Sequence, residues 1–350
     1  MNKMIRKKIN WGILGTGSIA RVFANGIQKS TTGILYAIGS RNKESAIAFS
    51  HEFNTKVTYH SYESLLKDKR VDCVYIALPH PLHAHWAIKA AEAGKHILCE
   101  KPMAMTLDDT LKIISSARKN NVFLMEGYMY RFHPQTSKLI ELIQQKVIGD
   151  VRIIQATFSF HAEVDNITLS NQKIRGGGGI MDVGGYPVSI SRLIAGIANG
   201  HAFSNPIEVY GVAHIGEISK VDEWVIGSLK FKGGILAQIA AGTSLVQDNI
   251  VRIFGSKGSI SIPSPWVPGG REPGTTKILV YQNGIKEPEE ILVSSKFGLY
   301  SLEADIVAEC IGEGQSPLMS WDDTLGNMQT LDLWRQAVGL SYEFNNNEAI

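Results

Sequence analysis

Ile9-Asn10-Trp11-Gly12-Ile13-Leu14-Gly15-Thr16-Gly17-Ser18-Ile19-Ala20 is an apolar run that breaks into a glycine turn. Ile9 to Leu14 reads as a strand, and Ile19, Val22, Phe23, Gly26 and Ile27 then recur at helical spacing. The turn is GxGxxA in a strand-turn-helix setting. Gly15 permits the tight turn, Gly17 lets the backbone approach a pyrophosphate, Ala20 permits close helix packing, and the helix start offers N–H groups to phosphate. Gly15, Thr16, Gly17, Ser18 and Ile19 are therefore candidates for holding a dinucleotide. A glycine turn alone is weak evidence; its flanks give it weight.

Working outward, Ile34 to Ile38 is a second strand that ends at Gly39-Ser40-Arg41-Asn42. An NAD site usually carries an acidic residue here to hold the ribose 2′-hydroxyl. Ser40 and Arg41 stand there instead, and an arginine suits a 2′-phosphate, so NADP is expected ahead of NAD. The competing reading is that Arg41 stacks on the adenine of either cofactor. Val71 to Leu78 is a further strand, preceded by a helix around Tyr62 to Lys67 and followed by Pro79-His80-Pro81-Leu82-His83-Ala84-His85. His80, His83 and His85 invite a zinc reading. They lie in a strand-to-helix turn with no acidic neighbour, so Leu78, Pro79, His80 and His83 are assigned to the cofactor edge and no metal is expected.

Ile97-Leu98-Cys99 reads as a buried strand running into Glu100-Lys101-Pro102. Pro102 cannot continue a ladder because it has no N–H. Lys101 thus falls at the carboxyl end of a strand, the edge where open α/β sheets bind ligands; from the tripeptide alone a solvated charge pair explains it as well. Thr106 to Asp109 resembles a helix start, Leu111, Ile114 and Ala117 continue it, and Val122 to Met125 is another strand. Strands and helices alternate throughout, which predicts a doubly wound parallel sheet and a first domain over residues 1–126.

Residues 127–350 change character. A helix follows Arg131-Phe132-His133-Pro134, and segments near 151–160, 207–215, 223–232, 235–243, 250–262 and 277–293 read as strands joined by glycine turns. Val225, Gly227, Leu229 and Phe231 alternate with Ser228, Lys230 and Lys232, as a strand with one solvated face should. An α+β domain with a large, mostly antiparallel sheet is expected. Its open face suits a subunit interface, so a homodimer or homotetramer through this sheet is expected.

Between the first two of these strands lies Gly176-Gly177-Gly178-Gly179-Ile180-Met181-Asp182-Val183-Gly184-Gly185-Tyr186-Pro187. Four consecutive glycines cost backbone entropy and imply close approach or a hinge. Asp182 and Tyr186 stand four apart on the following helix and share a face, and Pro187 predicts a kink. Asp182 as a helix cap and Tyr186 as a core residue explain them equally well. Leu299 to Ile311 and Trp321 to Val338 read as helices, with Leu331 and Trp334 packing, and Asn345-Asn346-Asn347 as a frayed tail.

The 350 residues carry 35 basic and 33 acidic side chains, a formal charge of +2, and form no basic stripe, so nucleic acid is not expected as a partner. Cys73, Cys99 and Cys310 are scattered, which argues against a disulfide framework or a thiolate zinc site and fits a reducing compartment. The basic start at Lys3, Arg6, Lys7 and Lys8 is followed by too short an apolar run for a signal peptide, and no run approaches a membrane span. A cytoplasmic protein with no membrane partner is expected.

Taken together, GILGTGSIA at 12–20, VDCVYIALPHPLH at 71–83, AGKHILCEKPMAM at 93–105, MEGYMYRFHP at 125–134 and GGGGIMDVGGYP at 176–187 resemble the glucose-fructose oxidoreductase and inositol dehydrogenase (Gfo/Idh/MocA) family over nearly the whole chain. The resemblance implies a Rossmann domain, then an α/β domain with a large sheet, often in dimers or tetramers, with substrate between the domains. The family's Glu-Lys-Pro motif maps onto Glu100, Lys101 and Pro102, and its lysine is a catalytic-site residue. Many members place a His four residues after an Asp; here Tyr186 follows Asp182. That pattern resembles the branch of dimeric dihydrodiol dehydrogenase, D-xylose dehydrogenase and glucose-fructose oxidoreductase, where tyrosine is the acid/base.

The expected chemistry is hydride transfer between nicotinamide C4 and a carbon bearing a hydroxyl or carbonyl, in a sugar, polyol or vicinal diol. Tyrosine, with a free pKa of about 10, is a poor base at neutral pH, and a Lys101 ammonium would lower that value. Tyr186 would exchange the proton, Lys101 polarise the oxygen, Asp182 orient substrate or lysine, His83 line the nicotinamide side and Arg131 pin the domain junction. Two alternatives stay open: a redox-neutral enzyme with tightly held cofactor, of the sugar-oxidoreductase or NAD-dependent glycosidase type, and a non-catalytic nucleotide-binding sensor or scaffold.

Overall fold

The structure, a computed structural model, describes residues 8–162 and 173–342. The basic residues Lys3, Arg6 and Lys7 and the Asn345–Asn347 tail lie outside them. The chain divides into two compact units.

Alternating apolar runs and amphipathic segments build the first unit: β1 (Ile9–Leu14), α1 (Ser18–Gln28), β2 (Gly33–Gly39), α2 (Lys43–Phe53), β3 (Val57–Tyr59), α3 (Tyr62–Leu66), β4 (Cys73–Ile76), α4 (His83–Glu92), β5 (His96–Glu100), α5 (Leu107–Lys119) and β6 (Leu124–Gly127). The sheet is wholly parallel in the order β3-β2-β1-β4-β5-β6, the doubly wound Rossmann arrangement predicted from the alternation. β4 is buried along its whole length, as a central parallel strand must be. Its Tyr75 stacks on Phe23 of α1 with ring centroids 3.7 Å apart.

The second unit begins with α6 (Pro134–Gln144) and β7 (Val151–Ser159), passes through a single π-helical turn (Ile180–Gly184) into α7 (Gly185–Ala198), and then forms β8 (Glu208–Ile215), β9 (Asp222–Lys230), β10 (Leu236–Gly242), β11 (Val251–Gly255), β12 (Gly258–Ile262), β13 (Gly274–Gln282) and β14 (Glu289–Ser295). The sheet order is β14-β13-β12-β11-β7-β10-β9-β8, antiparallel except for the pair β7 and β10. Pro187, expected to kink the helix, falls in the first turn of α7, directly after the π turn. On β9, Val225, Gly227 and Leu229 are buried while Ile226, Ser228 and Lys230 are exposed, the predicted alternation.

Two helices complete the chain, α8 (Leu299–Cys310) and α9 (Trp321–Ala337). The first unit is not one continuous stretch: it leaves Met105–Leu107 to the second unit, and beyond residue 126 it takes in residues 127–132 and then Lys296–Thr324, so α8 returns to it. Asp305 of α8 explains the return, accepting from the backbone N–H groups of Thr31 at 3.2 Å and Thr32 at 3.1 Å and from the hydroxyls of Ser30, Thr31 and Thr32. The second unit retains the later part of α9, whose Trp334 is wholly buried. Its indole lies over Gly211 and Gly227, where an added Cβ would come within 2.7 and 2.8 Å of it. The opposite face of the sheet leaves Tyr210, Val212, Trp224, Ile226, Leu236 and Phe254 exposed. Among the described residues no helix is long and apolar enough to cross a membrane.

Candidate active site

Strand order in the first unit reverses between β1 and β4, and the carboxyl ends of β1, β2, β4 and β5 carry the predicted residues. Gly15 has φ +104, a conformation L side chains rarely adopt, and an added Cβ would lie 2.5 Å from the Ala77 carbonyl oxygen. Its N–H donates to Gly39 O at 2.9 Å, so the turn is fixed by the strands on either side. Gly17 is different. Its φ of −70 is ordinary, and a Cβ added there would meet nothing within 4 Å. Among the described residues no contact calls for glycine at 17, whereas a pyrophosphate lying against the backbone would.

The start of α1 agrees with this. It has no side-chain cap and no acidic residue in its first turn, while α2 is capped by Asn42, accepting from Ser45 N at 2.7 Å, and α3 by Ser61, accepting from Ser64 N at 3.1 Å. Gly17 and Ser18 are exposed, Thr16 and Ile19 half-buried. The N–H groups and positive dipole end of α1 thus form a setting for an anion.

Ser40 is buried, its Oγ accepting from Asn42 N at 3.3 Å, and Arg41 is exposed. Burial pushes the Tyr62 hydroxyl pKa up, and the nearby Arg41 guanidinium opposes that. Leu78 is buried, Pro79 and His80 half-buried.

His83, expected to line the nicotinamide side, is wholly buried, with Nδ1 2.9 Å from Pro102 O and Nε2 2.8 Å from Leu78 O. Burial, with Lys101 adding to it, pushes its pKa down against the pull of the two carbonyls, so a neutral ring donates to one of them. His83 therefore ties the loop after β4 to the loop after β5. Glu100 is buried, accepts from the Tyr75 hydroxyl, and accepts from Lys101 N at 3.2 Å. Behind it Glu303 is wholly buried, and burial together with Glu100 pushes its pKa well above the carboxylate range, which keeps it neutral. Lys101 is half-buried and joined to the buried Pro102 by a cis peptide bond. Arg131 donates through Nη2 to Leu318 O at 2.9 Å and Asp323 at 2.8 Å. Burial alone would depress its pKa; Asp323 and Tyr130 raise it. Among the described residues no group of His, Cys, Asp and Glu is arranged to hold a metal.

In the second unit Asp182 is the one half-buried side chain in a run, residues 176–196, that is otherwise buried. Tyr186 is 4% exposed. Its ring meets Phe158 edge-on at 5.0 Å and Trp266 at 5.6 Å, and those two stack at 5.6 Å. The Trp266 indole N–H donates to Thr157 O at 2.9 Å, which fixes that wall of the phenol's surroundings. Phe158 and Trp266 carry no signal in the sequence beyond strand and loop patterning, nor does Asp222, whose carboxyl accepts from Ile180 N at 2.6 Å at the start of the turn that bears Asp182.

Residues 9–128 match the GFO/IDH/MocA oxidoreductase family, NAD-binding Rossmann fold, and residues 136–261 match the GFO/IDH/MocA C-terminal domain. The chain is 33% identical to a trans-1,2-dihydrobenzene-1,2-diol dehydrogenase of Xenopus tropicalis over 95% of this chain and 98% of that one. It is 30% identical to D-xylose 1-dehydrogenase (NADP(+)) 2 of Haloferax volcanii over 92% of this chain and 95% of that one. The crystal structure of KijD10, a 3-ketoreductase from Actinomadura kijaniata in complex with NADP and TDP-benzene, has the same fold, with a TM-score of 0.85 at 24% identity, covering 95% of this chain and 98% of that one. The glycine turn with its uncapped helix, the Glu100-Lys101-Pro102 edge and the full-length relatives agree: the chain belongs to the GFO/IDH/MocA family and is an NAD(P)-dependent oxidoreductase.

Proposed function

We propose that this protein interconverts a hydroxyl and a carbonyl on a sugar, polyol or vicinal diol, using NADP in preference to NAD, with Tyr186 as the acid/base and Lys101 assisting. The observation that carries the reading is the setting of Tyr186: a phenol packed against the stacked pair Phe158 and Trp266, one helical turn after the half-buried Asp182. The bound dinucleotide supplies a hydride donor or acceptor. The first unit holds it, with Gly15 to Ile19 and the start of α1 on the pyrophosphate and Arg41 on a 2′-phosphate. The Haloferax relative, named as an NADP(+) enzyme, supports the preference.

The Tyr186 hydroxyl exchanges a proton with the substrate oxygen, Lys101 polarises that oxygen, and Asp182 accepts hydrogen bonds from neighbouring substrate hydroxyls. The diol dehydrogenase and xylose dehydrogenase relatives support a vicinal-diol or aldose substrate. In the same reading the open apolar face of the second sheet joins copies into a homodimer or homotetramer, and the protein works in the cytoplasm.

The test is a panel of trans-dihydrodiols, aldoses and polyols assayed with NADP and NAD. Tyr186→Phe and Lys101→Met are each expected to lower turnover about 100- to 10,000-fold with NADPH affinity kept. Arg41→Ala is expected to weaken NADPH about tenfold and leave NADH nearly unchanged. Near-normal turnover in both Tyr186→Phe and Lys101→Met would overturn the reading.

A further inference from the structure

Asp222 opens β9 and is wholly buried. Its Oδ2 accepts from Ile180 N at 2.6 Å, while Oδ1 has no hydrogen-bond partner among the described residues. Gly178, at φ +107, passes directly over this carboxyl: an added Cβ would lie 2.2 Å from Oδ1 and 3.1 Å from the Tyr342 hydroxyl. The Tyr342 hydroxyl in turn donates to Gly177 O. Arg335 is the charged group nearby, its guanidinium held by Asp332 and by Met105 O at 2.7 Å. The four-glycine stretch is thus gripped from one side by a carboxyl and a phenol, and the residues so gripped lead straight into the turn bearing Asp182.

A buried carboxylate with one oxygen unbonded is costly, and an apolar side chain would fill this place at lower cost. What the carboxylate does that an apolar side chain cannot is fix one backbone amide, that of Ile180, at the first residue of the π turn. Asp182 follows two residues later and Tyr186 six, with no loop between in which an error could relax. A shift at Ile180 therefore passes directly to both side chains.

We infer that Asp222, seconded by Tyr342, is a positioning residue for the acid/base pair: its carboxyl clamps the Ile180 amide and so sets the orientation from which Asp182 and Tyr186 project. The clamp rests on the role proposed for Tyr186. It touches no substrate itself; its contribution is alignment, and small misplacements of a reacting group are expensive in rate.

The test compares Asp222→Ala, Asp222→Asn and Tyr342→Phe in the full chain, with Tyr186→Phe in parallel. Measured are kcat, KM, NADPH affinity by fluorescence, thermal unfolding, and the isotope effect with NADPH deuterated at C4. Asp222→Ala is expected to lower kcat about 10- to 100-fold per folded molecule. NADPH affinity should hold within about twofold, and the isotope effect should rise because misalignment slows the chemical step. Asp222→Asn, which keeps an oxygen for the Ile180 N–H, should recover most of that loss, and Tyr342→Phe should fall between. Should Asp222→Ala fail to fold, Tyr342→Phe decides, through a lowered kcat and raised isotope effect at unchanged NADPH affinity. Wild-type kcat and isotope effect in both Asp222→Ala and Tyr342→Phe, or in Tyr342→Phe where it decides alone, overturn the clamp. If Tyr186→Phe is inactive in the same series, only the clamp falls; a fully active Tyr186→Phe instead brings down the acid/base assignment beneath it.

Discussion

Two glycine-rich turns open two helices in this chain, and they use the same local grammar in opposite directions. The turn at Gly15 to Gly17 feeds α1, whose N-terminus has no side-chain cap and whose Gly17 faces open space. The turn at Gly176 to Gly179 feeds the π turn and α7, and the first amide of that π turn, that of Ile180, is taken by the chain's own carboxyl, Asp222. Each contains a glycine at positive φ packed against a neighbour: Gly15 against the Ala77 carbonyl, Gly178 against Asp222. The first turn offers its amides outward, to an anion the chain does not contain; the second has its anion built in. The difference teaches that a glycine turn before a helix marks a place where backbone N–H groups need an acceptor, and that only the surroundings say whether the acceptor is a ligand or the protein itself.

This contrast can be broken by stability measurements, because the internal acceptor is part of the fold and the external one is not. The largest effect is expected at Gly178→Ala. The new Cβ meets a buried carboxylate oxygen at 2.2 Å on backbone at φ +107, and a loss of about 2–4 kcal/mol in urea unfolding is expected. A loss under about 0.5 kcal/mol would mean that the stretch is not held by Asp222 at all.

A smaller effect concerns pH. Burial lifts the Asp222 pKa to about 7, with the Ile180 amide and Arg335 pulling the other way. The folded value lies above the unfolded one, so folding takes up a proton between them. The stabilisation from that proton is fully present below about pH 4 and is lost as pH rises through about 7. Asp222→Asn removes this term. Between pH 5 and 8 the wild type should therefore lose on the order of 2–3 kcal/mol relative to Asp222→Asn. Parallel stability curves for the two proteins over that range would show that Asp222 does not titrate there.

How much of this could be read from the residues follows the same division between local and distant. Strand and helix alternation specified the parallel sheet, because burial on both faces leaves long apolar runs that periodicity detects, and the ends of β1, β2, β4 and β5 then placed Gly15, Arg41, Leu78 and Lys101. Side-chain partners were not legible. Asp305 lies 275 residues from Ser30, Asp323 lies 192 from Arg131, and Asp222 lies 42 from Ile180; no local pattern encodes which of these meet. For the same reason the partners that hold His83, Glu100 and Arg131 within the first unit could not be foreseen from their positions in the sequence. The residues of α8 read as a helix but do not say which core it joins; Asp305 meeting the turn at Ser30 to Thr32 and Ser301 donating to Gly26 O are contacts with residues 273 to 275 positions away.

The smallest expected change in stability is also the most telling. Gly17→Ala adds a methyl group that meets nothing within 4 Å, at a φ of −70 that alanine adopts freely. By reducing the freedom of the unfolded chain, the substitution should leave stability unchanged or raise it by up to about 1 kcal/mol. If glycine at 17 served the fold, as at 178, the variant would instead lose stability. A pyrophosphate resting on this backbone would meet the added methyl group, so NADPH affinity should fall about tenfold or more while the unfolding curve stays in place. Unaltered affinity would leave the open glycine without the ligand that accounts for it, and the outward-facing half of the comparison would fail while the inward-facing half stood.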